Sequence, residues 1–312
     1  MVAGYGGHAG YAMAVSRFLR GARASFLVPR GYWWVAEKLG GLGEVIEASL
    51  PRRPSEPIYR SLPRWPRALA ESVSLCRRGF NAVLATGSNF SLAPSIACMI
   101  AGSRVYTLEA IDRISSPSRS VTLLRRLGAR VFLHWEEQLA IHPRGVVAGP
   151  VYEPRVYEPR DDGYLLVTTG TLGFKELYDA VISLDAGRVV LQTGDVDPGI
   201  YQGRAWRAFS YTGDLHRWIA GASVVVTQYP GMTAATARLA YRKPVVMVYS
   251  RRHRLSSPPR DGYVLSEKLR APYIEKPDPE ALEDAMREAR RTPPPSHPNG
   301  ARVIAEVLLS GE

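Results

Sequence analysis

Sulfur is scarce in this chain of 312 residues: its two cysteines, Cys76 and Cys98, show no metal-ligand spacing. That argues against a disulfide scaffold or a zinc ribbon and predicts two buried free thiols in a cytoplasmic protein. No apolar run approaches the roughly 20 residues a spanning helix needs, and no signal-peptide pattern is visible. The expectation is a soluble or peripheral protein. Neither a metal nor an organic cofactor is expected. Zinc-finger and RNA-binding signatures are missing too, and the basic residues are scattered, which argues against nucleic acid as a partner.

What is present is length and positive charge. The chain is long enough for two domains of about 150 residues. Its formal charge of +11 asks for an acidic partner, either a phosphorylated substrate or an anionic membrane face. Nearly all the cations are arginine, a bias that genome composition or heat adaptation also produces.

The organising stretch is residues 163–177, GYLLVTTGTLGFKEL. Tyr164 to Val167 is a short apolar run suited to a buried parallel strand. Thr168 to Gly173 turns it, and Phe174, Leu177, Val181 and Ile182 then recur at helical spacing. A strand, a Gly/Thr turn and a helix N-terminus make an anion site, because unpaired amides converge there and the helix dipole favours negative charge. A second glycine turn, Gly4 to Gly10, opens the chain. Two such turns, each followed by alternating strands and helices, predict an α/β fold of two Rossmann-like parallel-sheet domains facing a cleft.

In order, the first strand is only Met1 to Ala3, so it either begins upstream or is stunted. Ala24–Val28, Glu44–Ala48, Asn81–Ala85, Arg104–Leu108 and Arg130–Trp135 read as further strands. Between Pro51 and Arg67, prolines and arginines alternate with Ile58, Tyr59, Leu62 and Trp65. This reads as a solvated loop or as a basic, aromatic-tipped flap for an anionic membrane. A helix is expected from Ser115 to Leu127. The pentapeptide VYEPR occurs twice in tandem from Val151 and reads as a semi-rigid linker. The expected division is residues 1–150, a linker 151–162, and 163–312, with the last helix free to cross back. In the second half, strands lie near Tyr164–Val167, Arg188–Leu191, Ala208–Tyr211, Ser223–Thr227 and Val245–Tyr249. Tyr229 to Thr233 opens a small-residue helix as a second phosphate turn, and Arg251 to Pro259 is a loop.

Gly4, Gly6 and Ala9 fit a dinucleotide fingerprint loosely, but no acidic residue follows at the expected distance; Arg30 is the one candidate for a 2′-phosphate. Gly6-Gly7-His8 fits another pattern better. With ATGS at 85–88, LEAIDRISS at 108–116, VFLHWEE at 131–137 and His142-Pro143, it resembles the acceptor-side subunit of the Alg14/Alg13 N-acetylglucosaminyltransferase. That family of GT-B enzymes also includes the bacterial lipid II-forming enzyme. VTTGT at 167–171 with Phe174, and Tyr229-Pro230-Gly231 through Arg242-Lys243-Pro244, resemble the donor-side subunit, as in a fusion of the two.

The resemblance implies a hexosyltransferase acting in N-glycosylation-type assembly of a lipid-linked saccharide. GlcNAc would pass with inversion from UDP-GlcNAc to a lipid-linked acceptor on the cytoplasmic membrane face. It leaves room for an integral-membrane partner or a homo-oligomer. The implied acceptor side holds Gly6, Gly7, Arg113, Trp135 and Glu137, with His8 and Glu109 as catalytic candidates. The implied donor side holds Thr169, Gly170, Thr171, Gly173, Tyr229, Gly231, Met232, Thr233, Arg251 and Asp261. His8 at a helix N-terminus is a neutral base or a plain turn histidine. Glu109 is a base, or a surface carboxylate pairing Arg113. Trp135 stacks a sugar or packs a core. Departures matter as well: Tyr229 stands where the family has His, and Ala237 where it has a ribose-binding Glu. A UDP-GlcNAc 2-epimerase and a catalytically silent nucleotide-sugar-binding scaffold for a partner transferase remain the alternatives.

Overall fold

A computed structural model describes residues 1–53, 56–253 and 257–311. Arg254 and Ser256 of the expected loop, and Pro54 of the proline-rich stretch, lie outside the described residues. The chain divides into two compact units, Met1–Val151 with Pro298–Glu312, and Tyr152–His297.

The first unit runs α1 (Gly7–Ser16), β1 (Ser25–Pro29), α2 (Trp33–Gly40), β2 (Glu44–Ala48), α3 (Ile58–Ser61), α4 (Trp65–Cys76), β3 (Ala82–Ala85), α5 (Leu92–Ile100), β4 (Arg104–Leu108), α6 (Arg119–Arg126), β5 (Arg130–Leu133) and β6 (Val146–Val147). β1 pairs with β2, and β3 to β6 pair in sequence, all in parallel. The expected first strand is a single residue of bridge: Val2 pairs in parallel with both Leu27 and Ala85. Its N–H donates to Leu84 O at 2.8 Å while Ala3 N donates to Leu27 O at 2.9 Å. Val2 therefore joins the two sheets into one and stands at its centre.

The second unit runs β7 (Tyr164–Thr168), α7 (Lys175–Ser183), β8 (Val189–Gln192), β9 (Arg207–Phe209), α8 (Leu215–Gly221), β10 (Ala222–Tyr229), α9 (Thr233–Ala235), β11 (Val245–Tyr249), α10 (Pro259–Leu269), β12 (Tyr273–Ile274) and α11 (Pro279–Arg291). α12 (Ala301–Ser310) belongs to the first unit. The sheet is wholly parallel in the order β9-β8-β7-β10-β11-β12. Numbered along the unit this is 3-2-1-4-5-6, the doubly wound order. β7 and β11 are buried along their whole length, as strands covered by helices on both faces must be. α11 covers one face through Leu282, Ala285, Met286 and Ala289, spaced one helical turn apart. Each large side chain so buried contributes about 1.5–3 kcal/mol.

Three expectations change. The proline-rich stretch is helical from Ile58 onward: Pro57 immediately precedes α3, and Pro63 and Pro66 occupy first-turn positions, where a missing N–H costs nothing. The two cysteines are not free thiols but a disulfide, because α4 and α5 pack together with the two Cα atoms 4.9 Å apart, within bonding reach. The helix expected from Ser115 begins only at Arg119, because Ser118 is spent on another contact described below. No described helix is long and apolar enough to cross a membrane.

Candidate active site

In a doubly wound sheet the winding direction reverses between two strands, and the loops after their carboxyl ends diverge to leave a crevice. In the second unit that point falls between β7 and β10, whose following turns are 169–173 and 230–233. In the first it falls between Val2 and β3, followed by 4–10 and 86–89. The glycine turns singled out in the sequence are therefore the switch-point turns of the two sheets.

The turn after β7 is built to hold itself open. Gly170 and Gly173 have φ of 66° and 68°. Among the described residues, the amides of Gly170, Thr171, Leu172 and Gly173 donate to no protein acceptor. The carbonyls point inward instead: Thr171 O accepts from Asp195 N at 2.8 Å, and Gly170 O accepts from Gln192 Nε2 at 3.2 Å. Gln192 Oε1 takes the Thr168 hydroxyl at 2.8 Å. Gly194 lies so close that a Cβ there would sit 2.4 Å from both Gly170 O and Thr171 O. Thr169 is fully buried and gives its hydroxyl to Tyr178, so it supports the turn rather than presenting a side chain. Arg252, not Arg251, touches this turn, donating from Nη1 to Leu172 O at 2.9 Å; Arg251 is exposed.

The turn after β10 likewise leaves the amides of Gly231 and Met232 without protein acceptors among the described residues. Thr233 follows, partly exposed, at the start of α9. Other expected donor contacts are packed away. The Tyr229 side chain lies against Tyr249 and Tyr273, and Met232 and Asp261 are buried. The Tyr229 hydroxyl donates to Pro258 O at 3.4 Å, and the Asp261 carboxylate lies 4.0 Å from Arg260 Nε. Two groups that the sequence reading missed stand nearby. Gln228 Oε1 and Ser250 Oγ are buried with no hydrogen-bond partner among the described residues, and a Cβ on Gly170 would lie 3.2 Å from Gln228 Nε2. Their only signal was position, at and just past the carboxyl ends of adjacent strands.

In the first unit, Gly6 (φ 62°) and Gly7 begin α1, and His8 Nδ1 lies 2.6 Å from Thr86 O. A carbonyl only accepts, so Nδ1 carries the proton and Nε2 is left as a base. Burial lowers the His8 pKa, opposed by the Thr86 bond and the charge of Glu109; the ring is neutral at pH 7. The site requires Gly87, φ 101°, because a Cβ there would lie 2.8 Å from His8 Cε1.

Glu109 has a different setting. It is 0% exposed, and its oxygens accept from Ala110 N (2.9 Å), Ser118 N (3.0 Å), the Ser118 hydroxyl and His142 Nε2 (2.8 Å). Burial alone would raise its pKa, but bonds from His142 and Ser118 outweigh it and hold the carboxyl below the usual range. It does not pair Arg113, which donates to Pro117 O at 3.5 Å. Through these bonds Glu109 ties together residues 109–118. His134 adds a second tie, donating from Nε2 to Glu109 O at 2.8 Å and accepting from Val151 N at 2.9 Å. Trp135 is 5% exposed and donates its indole N–H to Ile111 O at 2.9 Å. The sugar-stacking expectation for Trp135 therefore yields to a core role. Glu137 is exposed in the first turn of the short helix that follows.

Two doubly wound units in one chain give an α/β fold of the GT-B class. The chain is similar over 99% of its length to MurG of Acinetobacter baumannii (16% identity, 98% of that chain, TM-score 0.61). It is similar, again over 99%, to the glycosyltransferase SsfS6 of Streptomyces sp. SF2575 (16% identity, 99% of that chain, TM-score 0.57). A third similar structure is the UDP-GlcNAc 2-epimerase of Methanocaldococcus jannaschii in complex with UDP-GlcNAc and UDP (12% identity, 99% of each chain, TM-score 0.56). No family model matches the sequence, and no curated protein matches it.

Proposed function

We propose that this protein is an inverting glycosyltransferase, an Alg14/Alg13-like fusion that moves GlcNAc from UDP-GlcNAc to a lipid-linked acceptor. The observation that carries the reading is the pair of turns with unsatisfied amides at the β7/β10 switch point. They offer a diphosphate several N–H donors that need no rearrangement, which is how charge on a departing UDP is stabilised. A UDP-sugar fits this fold, since a similar structure holds UDP-GlcNAc and UDP.

In the reaction, the acceptor hydroxyl attacks the anomeric carbon as the bond to UDP breaks. Its proton passes to His8 Nε2, and the leaving diphosphate takes the negative charge. Glu109 is a positioning residue on this reading, because every lone pair it presents to the loop is already engaged. The acceptor's lipid is supported by the surface of α3 and α4, where Tyr59, Leu62, Leu69 and Val73 are exposed beside Arg60 and Arg67. That composition suits a peripheral contact with the anionic inner face of a membrane.

The test is radiolabelled UDP-GlcNAc with membrane lipid extract, scored by label entering the organic phase. Conversion of UDP-GlcNAc alone to its 2-epimer would replace this reading with the epimerase. Absence of UDP binding in calorimetry would replace it with the silent scaffold.

A further inference from the structure

At the opposite, amino-terminal edge of the second unit's sheet lies a solvent-open cavity of about 640 Å³, next to the first residues of β10 and the residue before β11. Its charged lining is Arg155, Arg160, Asp161, Arg242, Lys243 and Arg290. Part of that charge is already answered. Arg155 pairs with Glu158 at 3.2 Å and Arg160 with Asp162 at 2.9 Å. Asp161 accepts from the Ser223 hydroxyl and from Gly163 N.

Arg242, Lys243 and Arg290 form no ion pair among the described residues, although Lys243 and Arg290 feel the charge of Asp161; Arg242 Nη2 donates to Pro294 O at 3.4 Å. Lys243 is 7% exposed, and its ammonium has one hydrogen bond, to Arg160 O at 2.5 Å. An ammonium has three N–H donors, so two remain for a ligand or water. Burial lowers its pKa, against the pull of Asp161 and Asp162. Arg242 holds a left-handed φ of 57°, a conformation unfavourable for a non-glycine residue. Five cations against the one carboxylate of the lining leave an excess of positive charge there.

We propose that this cavity is a second anion site, taking a ligand with clustered phosphate groups. The volume exceeds what a single phosphate fills, and arginine forks match phosphate oxygens in pairs. A nucleoside is disfavoured, because the one aromatic in the lining, Tyr241, is buried and its hydroxyl already accepts from Val156 N and Tyr157 N. Bound there, the ligand fastens residues 155–161 to the start of β10 and β11. This inference stands apart from the transferase reading, since none of these residues lies in the switch-point turns.

The experiment is calorimetry of inorganic pyrophosphate with the full chain at low salt, in the presence and absence of saturating UDP. The variant is Arg242→Glu with Arg290→Glu, both exposed in the fold, with Lys243→Met as a second variant. The expected loss is about tenfold or more per reversed charge, with UDP leaving the titration unchanged. A parallel arm measures retention on phosphatidic acid vesicles. Retention lost on charge reversal, without pyrophosphate binding, assigns the phosphates to a lipid headgroup. Reversal that changes neither arm, or UDP that abolishes pyrophosphate binding, overturns the site. Failure of the transferase reading leaves the pyrophosphate titration and its sensitivity to reversal in place.

Discussion

At the scale of single residues, two side chains separate chemistry from support. His8 owes its tautomer to one carbonyl and its neutral state to burial. His8→Gln is expected to lower kcat by about 10²–10⁴-fold with UDP affinity within a few-fold of wild type. The acid limb of the kcat/KM profile should fall below pH 6.5, the ordinary histidine value, because a depressed pKa keeps the base unprotonated further into acid. A limb above pH 7, or an unchanged kcat, would remove His8 from the mechanism. Arg238 is the opposite kind of residue. It is 1% exposed and donates to the carbonyls of Leu269, Lys243, Arg270 and Thr292, binding three chain segments around one planar cation. Arg238→Met leaves those carbonyls without their donor and should cost about 3 kcal/mol or more, read as a shift of the urea midpoint.

At the scale of elements, helix contacts decide what spacing leaves open. Cys76 ends α4 and Cys98 lies in α5, 22 residues apart. Closing a loop of that size removes unfolded-state entropy equivalent to about 3 kcal/mol. Reduction, or Cys76→Ala with Cys98→Ala, should lower stability by that order, and an unchanged melting temperature would show that packing alone holds the two helices. The loop 109–118 is another such case: Glu109, His142 and Ser118 tie it, and the same contact delays the start of α6. Proline misled for a comparable reason. Its density between 51 and 67 resembles a loop, yet the first turn of a helix accepts proline as readily, and only the described helices distinguish the two.

At the scale of the whole molecule, buried histidines set the response to acid. His134 is held to a pKa of about 4 by burial, against the opposing effect of Glu109. Unfolded, it titrates near 6.5. Between those values the unfolded chain binds a proton that the folded chain refuses, so stability falls as pH drops through that window. The loss reaches roughly 3 kcal/mol near pH 4. The depressed carboxyl of Glu109 works in the same direction: its contribution is present above its unfolded pKa and is lost as pH falls through the lower folded value. Urea midpoints should therefore be lower at pH 5 than at pH 7.5, and His134→Ala should flatten the difference; equal midpoints in the wild type would contradict this. Much of the architecture was already legible in the chain. Apolar runs, glycine turns and helical spacing are local, so strands such as Val245–Tyr249 and the glycine turns at 169–173 and 230–233 could be read from a few neighbours each. The place of those two turns at one switch point depends on strand order, and the settings of Glu109, Trp135 and Tyr229 depend on what buries them. The Cys76–Cys98 bond, the His8–Thr86 contact and the cationic cavity at Lys243 join residues tens of positions apart, and local periodicity carries no record of which distant segments come to lie side by side.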